Sequence, residues 1–578
     1  MKSTRHFSIS GWSPLLCWVI LLAGSADRGY GQSDTIQTTV PALKNVFAHD
    51  FTIGCLLSYR NIGFPTDPPV PGQSAVATPN GGYLIKFHMN RMSPGNNMKP
   101  MYTVDITNSA AAYSAATTAA AKDSINIHPI VRFNGDMIAQ LNWAQRQGFT
   151  FRGHTLVWHN QTPAAFFLTG YSGTGGRVSK DIMILRMDHY IGEVIRLIHQ
   201  NWPGLLAAMD VVNEAIDDNT GMVRRTGNDW YTTFGDTTYV MKAFEIARKY
   251  TVQYGETQIK LYYNDYNTDT PKKADGIVRL CTPIFQAGLL DGIGMQEHNS
   301  LSYPTAQAFI ASYNKFYPIC SEMSITELDV ATGSATPSAA LLAQQANQYG
   351  MLFKCFVERS ASSGRGKIVN VSKDGLNDQY TFVSNQATSL WDAQNKCKPA
   401  FFAVVHVGMY YNMLDSLVTV ADTLQQSAYT SDSWSHFAPI LAFAKAARDS
   451  EFSASLSADT TLGNAKDSLQ AAIEGLVSTV NGVTSHDAGS PTVFALSQNF
   501  PNPFNPTTVV SSQWTVDSKV RLAVYDLLGR EVAVLAEGRY PAGSYSFTFN
   551  ATKLPSGTYF YRLEAGGNTL VKKMTLLR

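Results

Sequence analysis

Short apolar runs alternate with long helical patterns through most of this chain. Between most of the runs lie sequences with helical periodicity, such as residues 179–202 and 237–255. Eight runs have the length and apolar, β-branched composition of buried strands: Phe51–Leu57, Tyr83–Met89, Phe151–Trp158, Ala207–Asn213, Lys260–Asp265, Gly292–His298, Met323–Glu327 and Lys367–Ser372. Eight strand and helix units in alternation predict an α/β fold, a (β/α)8 TIM barrel over residues 45–433.

Two of the predicted strands lead directly into a glutamate. Met209–Asp218 reads MDVVNEAIDD and Ser324–Val330 reads SITELDV, which places Glu214 and Glu327 at the carboxyl ends of strands. Either glutamate by itself is more often an exposed or ion-paired group. Two carboxyl groups at one site can protonate a glycosidic oxygen and meet the positive charge that develops on the sugar ring. Glu214 and Glu327 are therefore the candidate catalytic pair, and cleavage of a glycosidic bond is one reaction that would need both.

Length and charge narrow the possibilities further. A chain of 578 residues is too long for one compact core, so at least two domains are expected. Its 45 basic and 44 acidic residues give a net charge of +1, which does not favour nucleic acid or an anionic membrane as a partner.

The N-terminus has the pattern of an export signal. Basic residues precede the apolar run Leu15–Gly24, which is followed by small residues. The run is shorter than the roughly 20 residues that span a bilayer. We predict a signal peptide and leader over residues 1–31, with cleavage after Ala26 or after Gly31.

Cysteine and histidine spacing does not favour a metal centre. Of six cysteines, Cys17 lies in the predicted signal, and the other five are odd in number and lack CxxC spacing. This argues against zinc and against a dense disulfide framework, but leaves one or two disulfides open. His154 and His159 are five residues apart on a strand and turn, which is not a metal-ligand pair.

The composition changes after the predicted barrel. Residues 434–480 have helical periodicity and predict a small helical extension, and residues 481–491, NGVTSHDAGSP, are typical of a linker. Residues 492–578 consist of short alternating runs and turns, which predict a C-terminal antiparallel β-sandwich.

The barrel sequence resembles the family 10 glycoside hydrolases, the endo-1,4-β-xylanases, from about Phe47 to about Val405. Besides the two glutamate segments, three motifs carry the resemblance: FRGHTLVWHNQTP at Phe151–Pro163, LYYNDYN at Leu261–Asn267 and GIGMQEHNS at Gly292–Ser300. The resemblance implies a retaining enzyme that needs no metal or organic cofactor and acts on xylan, and with the predicted export signal it predicts a secreted endo-1,4-β-xylanase. It also implies that Glu214 is the acid/base and Glu327 the nucleophile, with carboxyl groups about 5 to 5.5 Å apart.

The resemblance implies roles for further residues around this pair. Asn213 would bind the sugar 2-hydroxyl, while His298 would bridge Glu327 and Asp329 and support the nucleophile. Outside this context an aspartate such as Asp329 is about as often purely structural. The substrate-binding positions implied by the family are Asn96, Lys99, His154, Trp158, Gln296, Asp374 and Phe382.

Two of these assignments have simpler alternatives. Asn96 and Lys99 lie beside proline and glycine, as solvated loop residues commonly do. His154 lies in an apolar strand, where a lone histidine is more often a core residue.

Three positions depart from the family pattern. Gly95 stands where the family has a glutamate, and Asp374 and Phe382 stand where it has two tryptophans. The family residues bind sugar on the glycone side, so these departures leave the substrate preference open. They motivate two alternatives: a related hydrolase for decorated or mixed-linkage β-glycan, and a catalytically weak surface protein that binds xylan.

The C-terminal sandwich resembles the sorting domain of type IX secretion substrates. Four segments carry this resemblance: LSQNFPNPFNPTT, VYDLLGREV, GTYFYRL and VKKM. The resemblance implies recognition by outer-membrane secretion machinery and a protein that is secreted or attached to the cell surface. We expect a monomer whose sandwich is an address rather than a sugar-binding module.

Overall fold

The computed structural model describes residues 36–57, 62, 81–381, 383–449, 457–477, 493–526, 529–555 and 557–576. Two compact units are present: Gly29–Thr423 with His436–Gly475 form the larger, and Leu424–Ser435 and Leu476–Arg578 belong to the smaller. The predicted signal peptide, the predicted linker and Phe382 lie outside the described residues.

The larger unit is built on a closed parallel barrel. Nine strands form one sheet in the order β6-β5-β4-β3-β2-β1-β9-β8-β7, and a further pairing of β6 with β8 closes it. Eight of them make the barrel, while the short β7 lies parallel beside β8. The strands are β1 (Thr52–Leu57), β2 (Arg91–Pro94), β3 (Thr150–Trp158), β4 (Leu206–Asn213), β5 (Lys260–Asp265), β6 (Gly292–Met295), β7 (His298–Ser300), β8 (Glu322–Ala331) and β9 (Ile368–Asp374). The predicted barrel is confirmed.

Helices connect the strands and cover the barrel. They are α1 (Leu43–Val46), α2 (Gly81–His88), α3 (Pro100–Thr103), α4 (Ile106–Ala115), α5 (Ala119–Ile127), α6 (Gly135–Arg146), α7 (Lys180–Asn201), α8 (Asp229–Phe234), α9 (Thr238–Gln253), α10 (Pro271–Gln286), α11 (Ala306–Phe316), α12 (Ala339–Val357) and α13 (Pro399–Ala421). Several begin at side-chain caps: the Ser179 hydroxyl accepts from the Ile182 N–H at the start of α7. The helices predicted at residues 179–202 and 237–255 are α7 and α9.

The prediction of a strand at Tyr83–Met89 is wrong. This segment lies in α2, where Leu84, Ile85 and His88 are buried on one face with helical spacing. The second barrel strand is instead β2, which reads RMSP and pairs with β1 and β3 on either side. A four-residue strand that contains arginine and proline lacks the apolar pattern by which strands are predicted from sequence.

Other strand ends also differ from prediction. The predicted strand Gly292–His298 is interrupted, because β6 ends at Met295 and β7 begins at His298. Glu297, in the turn between them, has a positive φ of 61°. Strands β8 and β9 extend beyond their predicted ends, to Ala331 and Asp374.

Three helices follow the last barrel strand, and the first of them is unusually apolar. Among the described residues, α13 is the one helix long and apolar enough to cross a membrane, and half of its most apolar stretch is buried. It packs against α12, and Gly408 lets it approach Val46 and Phe47 closely, as a core helix would. The next two helices are α14 (Ser431–Asp449) and α15 (Ser457–Glu474).

The smaller unit contains two antiparallel sheets over one core. Its strands are β10 (Ala495–Leu496), β11 (Thr507–Trp514), β12 (Ser518–Tyr525), β13 (Glu531–Tyr540), β14 (Gly543–Asn550), β15 (Gly557–Ala565) and β16 (Asn568–Leu576). They form one sheet in the order β10-β11-β14 and another in the order β13-β12-β15-β16. Val510, Leu522 and Tyr561 share one buried cluster with Trp514, which stacks on Tyr545. The predicted sandwich is confirmed.

The cysteines of the described chain are unpaired. Cys55, Cys281, Cys320 and Cys355 are buried, Cys397 is half-buried, and all five are free thiols. Buried thiols of this kind pack as small apolar side chains.

Candidate active site

Glu214 immediately follows β4 and receives hydrogen bonds from three side chains. Trp158 Nε1 donates to its Oε2 over 2.9 Å. Gln296 Nε2 and Asn213 Nδ2 donate to its Oε1 over 3.0 and 3.1 Å. The backbone of Glu214 has a positive φ of 54°, and its N–H donates to the Asn264 carbonyl over 2.9 Å. The carboxyl group is therefore held from both sides at the end of its strand.

Glu327 lies within β8 and is only 8% exposed. Asn264 Nδ2 donates to its Oε1 over 3.0 Å, and His298 Nε2 lies 3.7 Å from its Oε2. Because β8 continues past this residue to Ala331, Glu327 is fixed by strand backbone on both sides.

A chain of amide groups joins the two glutamates. Asn213 Oδ1 accepts from Asn264 Nδ2 over 2.9 Å and from Gln296 Nε2 over 3.3 Å. Asn264 also donates to Glu327, while Asn213 and Gln296 donate to Glu214. The two predicted catalytic residues therefore belong to one hydrogen-bonded network.

Gly294 leaves room for the side-chain amide of Asn264, which joins the two halves of the network. A Cβ atom added at Gly294 would lie 2.3 Å from Asn264 Oδ1. A Cβ atom does not approach another heavy atom this closely, so a side chain at position 294 would displace the amide. The same oxygen accepts a hydrogen bond from the Thr326 hydroxyl over 2.7 Å, which orients the donor side of the amide toward Glu327.

Positive charge keeps Glu327 ionised. Burial by itself raises the pKa of this carboxyl group, but the charges of His154, His298 and Arg152 outweigh burial. The net result is a pKa well below the ordinary value for glutamate. A buried carboxylate that stays ionised is suited to attack an electron-poor carbon.

His298 supplies much of this stabilisation. Its Nδ1 lies 3.0 Å from Asp329 Oδ2, and β7 places the two residues opposite each other in register. Burial tends to lower the pKa of His298, but hydrogen bonds and charge at Asp329 and Glu327 raise it well above its usual value. The ring is therefore an imidazolium at neutral pH, between two carboxylates.

A buried cluster of charged side chains lies close to Glu327. His154 Nδ1 is 2.8 Å from Asp210 Oδ2, and Arg152 Nη1 is 3.3 Å from the same oxygen. All three side chains are almost fully buried. The structure thus gives His154 a partner in the core while leaving it close enough to Glu327 to lower that group's pKa.

Lys99 reaches into the site from the loop after β2. Its ammonium donates to Asn96 Oδ1 over 2.8 Å and lies 4.6 Å from the centre of the Trp158 ring. Burial lowers the pKa of Lys99, while Glu327, Glu214 and Asp374 raise it. The solvated-loop alternative fits Asn96, which is exposed, but not Lys99, which is 9% exposed.

Two of the three positions that depart from the family pattern, Gly95 and Asp374, lie at the ends of β2 and β9. Gly95 follows β2, and its N–H donates to the Leu57 carbonyl over 2.8 Å. Asp374 ends β9 and is 3% exposed. Beside it, the buried Lys373 ammonium donates to the carbonyls of Asp374 and Gly375 over 2.6 and 2.9 Å. Burial lowers the pKa of Lys373 to about 8, although Asp374 opposes the shift.

Sequence reasoning overlooked Asn264, although it lies in the LYYNDYN motif. It also overlooked the support behind Glu214. Tyr263 donates to Asp265 over 2.5 Å and accepts from the N–H groups of Ala215 and Ile216. Lys273 lies 2.8 Å from Asp265 Oδ1. The strand-end position of LYYNDYN was the available signal for these residues.

Asp265 is electrostatically unusual within this support. Burial raises its pKa to about 6, even though the Lys273 ammonium lowers it.

No group of three or more metal-binding side chains lies together in the part of the chain that the structure describes.

The C-terminal unit matches a known protein family. Residues 498–576 match the family described as secretion system C-terminal sorting domain. This match indicates secretion, with attachment to the cell surface or release.

Several proteins similar to the barrel are named xylanases. The chain is 31% identical over 396 residues to "Endo-1,4-beta-xylanase Y" of Acetivibrio thermocellus, covering 66% of this chain and 33% of that protein. It is 34% identical over 300 residues to a "Putative endo-1,4-beta-xylanase" of Caldicellulosiruptor saccharolyticus, covering 50% of this chain and 94% of the relative. The chain thus spans about a third of the first relative and nearly all of the second.

A solved structure agrees with these relatives. The CBM22-1 and GH10 modules of endo-1,4-β-D-xylanase 10B from Clostridium thermocellum, complexed with xylohexaose, align with a TM-score of 0.54 and 30% identity. The alignment covers 65% of this chain and 69% of that one. Residues 43–407 match the model of glycosyl hydrolase family 10, and on this match the chain belongs to that family.

Proposed function

We propose that this protein is a secreted, retaining endo-1,4-β-xylanase that hydrolyses internal β-1,4-xylosidic bonds of xylan by double displacement. One observation carries the proposal: Glu214 and Glu327 share one amide network but have different surroundings. Glu327 lies among positive charges that keep it ionised, whereas the side chains that donate to Glu214 in the described structure are neutral N–H groups. The names of the relatives support xylan as the substrate.

In the first step, Glu327 would attack the anomeric carbon while Glu214 gives its proton to the departing glycosidic oxygen. The carbon–oxygen bond to the leaving sugar breaks as the bond to Glu327 forms, which yields a covalent glycosyl-enzyme. The imidazolium of His298 holds the nucleophile in place. Asn213 is held by Asn264 and lies beside Glu214, and it would bind the sugar 2-hydroxyl.

In the second step, Glu214 would act as a base. It removes a proton from water, which attacks the same carbon and releases Glu327. Two inversions restore the β configuration. Trp158 donates to the Glu214 carboxyl and therefore stabilises its ionised form between the two steps.

The test combines product analysis with matched variants. Wild-type enzyme should release reducing sugar from xylan, and the first product seen by NMR should be the β anomer. Glu327→Gln should abolish turnover, and Glu214→Ala with azide should give a β-configured glycosyl azide. Glu245→Gln, an exposed glutamate on α9 paired with Lys242, is the control and should behave as wild type. An α-configured product would contradict a retaining mechanism.

A second candidate is a hydrolase for decorated xylan. It is favoured by Gly95, which has no side chain where the family has a glutamate, and by buried Asp374, which has a carboxyl group where the family has an aromatic ring. Loss of a charged hydrogen bond costs about 1.5 to 3 kcal/mol and loss of a stacking contact about 1 kcal/mol. We expect poor cleavage of short linear oligomers and recovery on long chains.

Kinetics on defined oligomers distinguish the two candidates. Preference for arabinose- or glucuronate-substituted oligomers over linear ones would favour the decorated substrate. Efficient cleavage of linear xylotriose would contradict weakened glycone binding. Binding of xylan without release of reducing sugar would instead favour the surface xylan-binding alternative.

The C-terminal sandwich is proposed to deliver the protein to the outer-membrane secretion machinery. It contains one tryptophan, Trp514, which is buried in the sandwich core and stacked on Tyr545. Sugar-binding modules generally need exposed aromatic rings for stacking. The observed burial therefore supports an address function over a sugar-binding one.

A further inference from the structure

A second pair of carboxyl groups lies close to the catalytic network but outside it. Asp269 is in the loop between β5 and α10, and Glu297 is in the turn between β6 and β7. They are 5% and 2% exposed, and their carboxyl groups face each other closely enough to interact directly. The reaction proposed above uses neither residue.

The surroundings of this pair require a proton between the two groups. Asp269 Oδ1 is buried and receives no hydrogen bond from any N–H or hydroxyl in the described structure. Glu297 accepts from Asn299 Nδ2 over 3.1 Å and from the Thr268 hydroxyl over 3.5 Å. Ionised carboxylates only accept, so a hydrogen bond between the two groups needs one of them to be protonated.

The other ionisable groups that face the pair do not neutralise two negative charges. His298 lowers the pKa of Glu297, but this imidazolium already lies between Glu327 and Asp329. In the part of the chain that the structure describes, the other ionisable neighbours are the Tyr303 phenol, from the loop after β7, and the Cys355 thiol on α12. Burial raises the pKa of Asp269 and of Glu297, and for Glu297 the charge of Asp269 raises it further.

Glu297 lies at a point where the backbone controls both halves of the site. Its neighbours in sequence are Gln296, which donates to Glu214, and His298, which contacts Glu327. Its carbonyl accepts from the Asp329 N–H over 3.1 Å. A change in this positive-φ turn would therefore move donors on both predicted catalytic residues.

We propose that Asp269 and Glu297 share one proton and act as positioning residues, which hold the turn at Gln296–His298 against the β5–α10 loop. The inference rests on the proposed function for its catalytic consequence. When the pH rises enough to remove the proton, two adjacent carboxylates repel each other and the turn shifts. Cleavage then declines because Gln296 and His298 no longer align with their carboxyl partners.

The test replaces the shared proton with a permanent donor. In Glu297→Gln the amide N–H₂ donates to Asp269 at every pH, and Asp269→Asn donates to Glu297 in the same way. Asp275→Asn, an exposed carboxyl on α10 paired with Lys315, is the matched control. The substrate is an aryl β-xylobioside with a good leaving group, whose first step does not depend on a proton from Glu214.

The readout is the alkaline limb of kcat/KM, with each enzyme normalised to its own maximum. Both amide variants should retain about tenfold more of that maximum one pH unit above the wild-type midpoint. The control should follow wild type. A limb that is identical in wild type and both amide variants would overturn the positioning role.

Two measurements without substrate separate this idea from the proposed function. Difference infrared spectra at neutral pH should show a neutral carboxylic acid band in wild type that both single amide variants lack. Stability should also respond: a raised folded pKa means that stability falls as pH rises above the ordinary carboxyl range, and Glu297→Gln should reduce that fall. If the band is absent, or if calcium ions stabilise wild type but not Glu297→Gln, the pair holds no proton and the proposal fails.

Discussion

Replacing Asn264 by aspartate tests how this site keeps Glu327 ionised. Asn264 is fully buried, and its Nδ2 donates to Glu327 over 3.0 Å and to Asn213 over 2.9 Å. Asn264→Asp keeps the shape of the side chain but puts an oxygen where that donor stands. The nucleophile loses a hydrogen bond and gains a neighbour that can be negative.

The expected shift in the pKa of Glu327 follows from these contacts. Loss of a hydrogen bond to a charged group costs about 1.5 to 3 kcal/mol. Since about 1.4 kcal/mol corresponds to one pKa unit, the acid limb of kcat/KM should move up by about one to two pH units. The direction is upward because Asn264 stabilises the ionised form of Glu327, and a new negative charge adds to the change. The two carboxyl groups would then titrate as a coupled pair.

The assay is kcat/KM against pH on an aryl β-xylobioside, with circular dichroism to confirm folding. Asn314→Asp, the same substitution at an exposed position on α11, serves as the control and should leave the acid limb in place. A folded Asn264→Asp enzyme with the wild-type acid limb would refute the role given to this amide.

Three further predictions concern single features of the structure. Trp158→Phe keeps a ring beside Lys99 but removes the 2.9 Å donor to Glu214, so kcat/KM should fall about tenfold or more in steady-state assays. His298→Gln should lower the free energy of unfolding at acid and neutral pH, because the raised pKa of His298 contributes its full stabilisation below about pH 6.5. The difference from wild type should shrink as the pH rises through the pKa of His298 in the folded protein. Urea unfolding at several pH values measures this difference. Deleting Thr492–Arg578 should spare hydrolysis of soluble xylan but stop delivery to the cell surface, as fractionation of the culture would detect; a large loss of hydrolysis would contradict this.

The larger architecture could be predicted from local patterns. Buried parallel strands such as β4 and β5 have continuous apolar runs, and α7 and α9 have clear helical periodicity with capping residues. The apolar runs and the helical periodicity both arise because neighbouring residues of one element share the same buried environment. The strand β2 escaped prediction because its pairing with β1 and β3, rather than its composition, makes it a strand.

By itself, the sequence determined the barrel, the C-terminal sandwich and the two strands that lead to Glu214 and Glu327. The structure corrected one strand end, because β8 continues past Glu327 to Ala331. Only the tertiary structure decided that Asn264 joins the two carboxyl groups and that Asp269 meets Glu297. Those contacts depend on which side chains meet across the barrel mouth and how far water is excluded from them. The spacing of residues along one strand does not reveal these contacts or the exclusion of water, because charges and hydrogen bonds act between segments that are distant in the chain.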